Sequence, residues 1–379
     1  MKNQAKPKNT SSLSTLGKIF TFIALSTLIG CAAKPGISTA VNWSKLDGWQ
    51  QDDHRQLLPP LLLQCPKLKD NRASWKTICQ QAQSLAADDS VQIKLFFQKY
   101  FQPHKMVGNN SSKTGMITGY YEPLLQGSYL KTPRFNYPLY KKPDNLIKLA
   151  ASANFLKVKD SRARGRVHLG QTLAYYSRAE IDGPNRPLAG NELLWVDSSD
   201  DAFFLHIQGS GLVQMSDGSV VGVSYAEQNG HPYRAIGRDL VNMQQISKEN
   251  ISLQSIKAWL TANPNKATQL KNKNPSYIFF NLRLDTEQGP RGSLNVPLTP
   301  ERSVAVDRNI IPLGSPLWLS TQLPDSTLPY QRLVFAQDTG GAINGPIRAD
   351  IFFGRGERAQ ILAGGMKQQG SIYILLPKL

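Results

Sequence analysis

In the stretch FAQDTGGAINGPIRADIFFG, residues 335 to 354, two carboxylates, Asp338 and Asp350, bracket a glycine-rich turn. Around them stand apolar residues, glycines, a proline, small polar side chains and a single cation, Arg348. Residue type alone allows two readings. Asp-Thr-Gly-Gly is good turn chemistry, with the side chain accepting backbone N–H bonds, and Asp350 could cap a turn at a strand edge. Alternatively, a carboxyl beside Ile351, Phe352 and Phe353 is desolvated, which disfavours its charged form and keeps it protonated near neutral pH. Such a group can hand a proton to a glycosidic oxygen. A third aspartate, Asp307 in VAVDRNIIPLG, stands beside Arg308 ahead of a proline and by itself reads as a salt-bridged turn residue.

Other chemistries lack their residues. There is no G-x-S-x-G elbow, no P-loop, no dinucleotide fingerprint after a strand and no H-E-x-x-H. QGSG, with Gln208 and Ser210, has no base with an obvious partner. FAQDTGG resembles the Asp-Thr-Gly signature of aspartic proteases, but those enzymes need two such aspartates to share a proton, and this chain has one copy. The histidines, at 54, 104, 168, 206 and 231, are too scattered for a metal site. What remains is acid catalysis by carboxyl groups, with no metal and no organic cofactor.

Stepping outward from these residues, the pattern from about 45 to 103 is helical. In SVQIKLFFQKYF, Val91, Leu95, Phe96 and Tyr100 recur at three- to four-residue spacing. Strand-and-turn patterning starts at TGMITGYYEPLLQGSYL and runs through FNYPLY, LLWVDS, DAFFLHIQGSGLVQM and SVVGVSYA, so 122–232 reads as an all-β module. Helices return at 233–270, with Ile236, Leu240 and Met243, then Leu253, Ile256 and Leu260, on apolar stripes; Asn263-Pro264 ends the second. The final third is β-rich again, from YIFFNLRL to GSIYILLP. A string of short strands argues for a barrel, since closure removes exposed edges. The expected class is mainly β with helices, α+β. Residues 45–121 and 233–379 make one body and 122–232 a β-domain inserted in it.

The N-terminus reads as an address. Lys2, Lys6, Lys8 and Lys18 precede IFTFIALSTLIG, twelve uncharged residues. That run is too short to span a ~30 Å bilayer as a helix but fits a signal segment. It ends in LIGC, which looks like a bacterial lipobox with Cys31 as the lipidated residue; an incidental cysteine after an ordinary secretory signal is the plainer reading. Ala32 follows Cys31, which resembles the sorting pattern for the outer membrane, and residues 31–44 read as a tether. Cys65 and Cys79 could close a loop worth about 3 kcal/mol in an oxidising compartment, or remain two buried thiols; the sequence leaves both open. The formal charge of +17 favours anionic partners. The cations are spread singly, however, without the aromatic interleaving expected for nucleic acid, so no nucleic-acid partner is expected.

Six motifs occur in order: GYYEPLL, QGSG, SYAEQNGHPYRAIGR, NPSYIFF, SVAVDRNIIPLGSPLWL and AQDTGGAINGPIRADIFFG. Together they resemble the membrane-bound lytic murein transglycosylase A family, and the last two resemble its 3D region, named for three aspartates that match Asp307, Asp338 and Asp350. The likeness runs from about residue 115 to the C-terminus. It implies a double-psi β-barrel with a second β-domain inserted and a large groove between them for peptidoglycan glycan strands. By motif position the catalytic acid falls on Asp350, with Asp338 as a supporting carboxylate and Asp307 shaping the site. Tyr120, Tyr121, Gln208 and Ser210 would line the groove. Because a cation lowers a carboxyl's pKa, Arg348 is expected on the opposite strand face from Asp350.

The resemblance also implies a reaction: cleavage of the β-1,4 bond between N-acetylmuramic acid and N-acetylglucosamine, leaving a 1,6-anhydro end. The product belongs to cell-wall turnover, on an outer-membrane lipoprotein facing the periplasm and with possible wall-remodelling protein partners. Two rivals stand beside it. A hydrolase on the same barrel would use Asp338 or Asp307 as base, and a wall-binding lipoprotein would use the groove without chemistry.

Overall fold

The computed structural model describes residues 35–68, 73–150, 163–324 and 326–378. Cys31 and the signal segment lie outside the described residues. Near the N-terminus β1 (Gly36–Ala40) pairs antiparallel with β2 (Phe101–Val107). The expected tether therefore ends before Gly36 among the described residues. What holds β1 is its backbone pairing with β2, since Gly36 is its only buried residue.

Between β1 and β2 run α1 (Leu58–Leu68), α2 (Ala73–Ala82) and α3 (Ser90–Tyr100). Cys65 of α1 and Cys79 of α2 are joined in a disulfide, with Cα atoms 5.7 Å apart. Helix α3 buries half of the predicted stripe: Phe96 is inside and Tyr100 packs partly against the same core, while Val91 and Leu95 are exposed. Ile93 and Phe97 complete the buried face in their place.

The C-terminal strands are β13 (Ser303–Val306), β14 (Pro316–Gln322), β15 (Pro329–Asp338), β16 (Ala349–Arg355) and β17 (Lys367–Pro377), with β3 (Gly115–Glu122) joining them from the N-terminal side. Their order is β17-β14-β15-β13-β16-β3, and β3 pairs back onto β17, which closes a six-stranded barrel. The first half of β17 pairs with β3 and its second half with β2, so β2 and β1 extend the wall outward. Inside the barrel pack Ile117, Val304, Val334, Ile351 and Ile374. Outside, α1 to α3 cover one wall through Trp49, Phe97, Trp318 and Phe335. Helix α9 (Gly356–Gly365), which the sequence reading passed over, lies between β16 and β17.

The remaining strands build the second domain: β4 (Leu124–Ser128), β5 (Tyr137–Tyr140), β6 (Ile147–Lys148), β7 (Arg164–His168), β8 (Gln171–Ala174), β9 (Glu192–Val196), β10 (Ser210–Met215), β11 (Val220–Gln228) and β12 (Ile278–Arg283). Six of them form one sheet in the order β12-β11-β10-β4-β9-β5; β6, β7 and β8 form a small sheet. The sheet runs past the expected limit at 232, because β12 pairs antiparallel with β11.

This module is not all β. α4 (Arg178–Ile181) is short, and DAFFLHIQ, read as strand, is helix α5 (Ser199–Gln208). The Ser198 side chain caps its N-terminus, Asp200 and Asp201 sit in its first turn, and Gly209 ends it in the left-handed conformation. Three more helices follow the module's β11: α6 (Ile236–Asn242), α7 (Leu253–Ala262) and α8 (Pro264–Asn272). Pro264, expected only to end a helix, also starts α8 at a position where its missing N–H costs nothing.

Candidate active site

Ala305 of β13 is the register partner of Asp350 in β16 on one side and of Asp338 in β15 on the other. Cross-strand partners share a face, so both aspartates stand on the outward side of the wall, two strand spacings or ~9–10 Å apart at the backbone. A bulge makes this possible. Ser303 and Val304 pair with Phe335 and Ala336, but Ala305 pairs with Asp338, which leaves Gln337 as an extra residue. Ala336 packs inside the barrel beside Val304. In a regular strand Asp338, two residues on, would point into that core as well; the extra residue turns it outward. Gln337 is fully buried and tied down: it accepts from Ser303 Oγ at 2.6 Å and donates to Pro60 O and Gln64 Oε1 of α1, each at 3.2 Å.

Asp350 is partly exposed and touches one donor. Thr118, its partner on the parallel strand β3, donates its hydroxyl to Oδ1 at 2.5 Å. Burial pushes the Asp350 carboxyl above its ordinary value; the Thr118 bond and the charge of Arg348 pull it back, and the nearby Asp338 adds to the rise.

The expectation for Arg348 is overturned. Two residues along a strand return to the same side, so Arg348 stands on the side of Asp350 and not opposite it. Its guanidinium donates to the Thr118 hydroxyl at 2.8 Å, and to Met116 O and Ala349 O. Those acceptors hold it one hydroxyl away from the carboxylate, and its own pKa is lowered by burial.

Asp338 is held by four donors. Tyr120 Oη donates to Oδ2 at 2.9 Å; the Ser293 N–H, the Ser293 hydroxyl and the Thr339 N–H donate to Oδ1 at 2.9, 3.0 and 2.8 Å. Burial pushes this carboxyl up, and the hydrogen bonds counter it. Gly292 lets the Ser293 loop come this close, since a Cβ there would lie 2.5 Å from Gln337 O.

Asp307 is buried and lies outside the hydrogen-bond networks of the other two aspartates. It accepts from Asn309 N and Nδ2 and, through Oδ2, from Gly345 N at 2.9 Å. It thereby ties the end of β13 to the loop between β15 and β16. Arg308 beside it forms no ion pair with it, contrary to the residue-type reading.

Tyr120 and Tyr121 part company, as neighbours on a strand must. Tyr120 faces the carboxylates against Phe352, and burial together with Asp338 pushes its phenol well up. The Tyr121 ring is in the barrel core and so cannot line a groove; burial pushes it to about 12. Its backbone N–H donates to Gln208 Oε1 at 3.0 Å, which leaves Gln208 the amide N–H2 to offer elsewhere. Ser210 is buried at the start of β10.

Three site residues were missed: Thr118, Ser293 and Tyr233. The Tyr233 phenol is pushed up to about 12 by burial and by the charge of Asp350. Thr118 was within reach, since it lies two residues before Tyr120 on one strand face. Ser293 arrives by a loop with no local signal.

This geometry has recognisable relatives. Residues 116–281 match the MltA specific insert domain, and residues 302–376 match the 3D domain. The membrane-bound lytic murein transglycosylase A of Escherichia coli K12 is 33% identical over 279 residues, covering 72% of this chain and 68% of that one. Among solved structures, a membrane-bound lytic murein transglycosylase from Agrobacterium tumefaciens superposes with a TM-score of 0.80 at 31% identity, covering 90% of this chain and 98% of its own. The crystal structure of E. coli MltA with bound chitohexaose gives 0.65 at 26% identity, covering 92% and 96%. A barrel of this kind with a distinct second domain is that of a lytic transglycosylase, a lyase that acts on peptidoglycan. The chain belongs to the membrane-bound lytic murein transglycosylase A family.

Proposed function

We propose that Asp350 serves as both acid and base in cleaving the bond between N-acetylmuramic acid and N-acetylglucosamine. The observation that carries this is the environment of its carboxyl: buried enough to favour the protonated form, and bonded by one hydroxyl with no direct cation. Asp350 gives its proton to the glycosidic oxygen as the C1–O bond breaks. The sugar's own O6 attacks C1, and the Asp350 carboxylate takes the O6 proton as the 1,6-anhydro ring closes. The nucleophile is intramolecular, so little entropy is lost in bringing it to C1. A glycosidase that uses water needs a second carboxylate as base. Asp338 is a poor base, because four donors already occupy its oxygens. Its role is to hold negative charge near the developing cation at C1 and to keep Asp350 protonated. Asp307 fixes the loop above them.

Glycan strands are the ligand, as chitohexaose is for the E. coli relative. They lie along the Asp350 face, with Tyr120, Tyr233, the Gln208 amide and Ser210 as contacts. The insert, taken to Arg283 by its sheet, forms the other wall. Cys31 carries the lipid that anchors the protein in the outer membrane, facing the periplasm; no helix among the described residues is long and apolar enough to cross a membrane.

The test is to incubate the purified protein with peptidoglycan and weigh the products. Ends in anhydro-muramic acid are expected. Reducing ends would make the enzyme a hydrolase, and full activity in Asp350→Asn would remove Asp350 from its role.

A further inference from the structure

The insert carries a second concave site, away from the carboxylates. It lies at the β5 edge of the six-stranded sheet, ~24 Å across five strand spacings from β12 at the other edge. It is a wide-open depression of about 650 Å³, lined by Lys131, Thr132, Asn136, Tyr137, Asp182 and Arg186, among others, most of them exposed.

The walls are built before any ligand arrives. In the loop between β4 and β5, Thr132 N donates to Phe135 O and Phe135 N to Thr132 Oγ1, each at 3.0 Å, closing a tight turn around Pro133 and Arg134. On the opposite side the turn after α4 is closed by Arg186 N to Gly183 O and Ala189 N to Arg186 O.

Two of the lining residues are cations that also lie near one indole. Lys131 Nζ lies 5.4 Å and the Arg186 guanidinium 5.8 Å from the centroid of the Trp195 ring, which is itself buried. An indole face holds cations without neutralising them. Neither Lys131 nor Arg186 has an ion-pair partner among the described residues. The nearby acids are engaged elsewhere. Asp197 pairs with Arg134 at 3.2 Å, Glu192 accepts from Gly190 N, and Asp182 faces Arg178 at 3.7 Å. A planar guanidinium and an ammonium that line one depression, with Thr132 and Asn136 at hand, match a carboxylate with polar atoms around it.

We propose that this concavity is a second substrate site that binds the carboxylate-bearing peptide stems of murein. The inference rests on the peptidoglycan reading above. Its use is retention: a polymer with repeating stems, held at two places on one protein, leaves far more slowly than from either alone. The catalytic face reads the sugar chain, and the β5 edge reads the charge on its branches.

The experiment uses the full chain in detergent as Asp350→Asn, so that the polymer is not consumed. Retention is measured on intact murein sacculi and on sacculi stripped of peptide by an amidase. Lys131→Glu/Arg186→Glu is expected to lower retention on intact sacculi about tenfold, the loss of two modest charged contacts, and to make no difference on stripped sacculi. Lys131→Gln/Arg186→Gln, which keeps the side-chain bulk, should lower it in the same direction and covers the case in which charge reversal impairs folding. Equal retention of variants and parent on intact sacculi overturns the proposal, and so does an equal loss on both kinds. Anhydro-product release by the enzyme with Asp350 intact is a separate readout, so failure of the catalytic reading is distinguishable.

Discussion

Two acids that meet the barrel wall, one from the segment that covers it and one from a strand within it, are treated in opposite ways. Under the helical cover, Asp52 takes two parallel bonds from Arg302 at 2.8 and 2.7 Å and a third from Leu333 N at 2.9 Å, with both side chains almost wholly buried. On the outward face, Asp350 takes one bond from a threonine, and its nearest guanidinium is spent on that threonine and on backbone carbonyls. A fork of direct guanidinium bonds fixes a carboxylate in place and makes it an anchor. A single hydroxyl contact leaves the proton free to come and go. Burial alone does not separate the structural acid from the one proposed for catalysis; the first contact does.

The strongest way to break this contrast is Asp350→Asn, expected to lower kcat/KM by about 10²–10⁴, the usual contribution of a general acid. The same change should raise thermal stability at neutral pH. A carboxyl whose folded pKa is raised contributes its stability below the unfolded value, near 3.8, and loses it as pH rises through the folded value. Above both values the buried charge is a burden that asparagine lacks. A variant less stable than the parent at pH 7 but equal at pH 3 would reverse the assignment.

Next in size is Arg302→Met, which should cost about 3–5 kcal/mol in urea denaturation by stranding Asp52, while Asp52→Asn/Arg302→Met together should cost less than the sum of the two singles. Additive losses would deny that the pair is an anchor. The disulfide belongs to the same structural side. Cys65→Ser/Cys79→Ser should lower stability by about 3 kcal/mol, visible as a shift of the urea midpoint.

The finest test is Thr118→Val. It removes the hydroxyl that pulls the Asp350 pKa down, so the alkaline limb of the kcat/KM profile should move up by about half a pH unit to one, the worth of a single hydrogen bond. Thr118→Ser should restore it. A limb that stays in place would mean that Thr118 only packs.

Much of the barrel was legible because its strands are short apolar runs broken by glycine and proline: β13 to β17 each overlap a stretch read as β, and Asp338 and Asp350 stand out by their apolar company. The helices were harder. The aromatic run in DAFFLHIQ looks like strand, and only the Ser198 cap, the first-turn acids and Gly209 betray α5. In α3 two apolar faces compete, and which one is buried depends on Phe335 of a strand far away in sequence. The bulge could not be read at all. An extra residue is defined only against a partner's register, and nothing in FAQDTGG says that β13 is one residue shorter. Ser293 and the position of Arg348 share this fault, since close approach between distant segments decides both.

That surplus residue has a consequence for how the family can diverge. Every substitution in β15 leaves Asp338 pointing where it points, but loss of one residue between Phe335 and Asp338 would swing the carboxylate into the hydrocarbon interior and carry Tyr120 and Ser293 out of reach. The strand can drift in letters but not in length, while Gln64 of α1 holds the bulge from outside through its side-chain amide. Gaps in this short segment should mark relatives that have given up the chemistry while keeping the barrel.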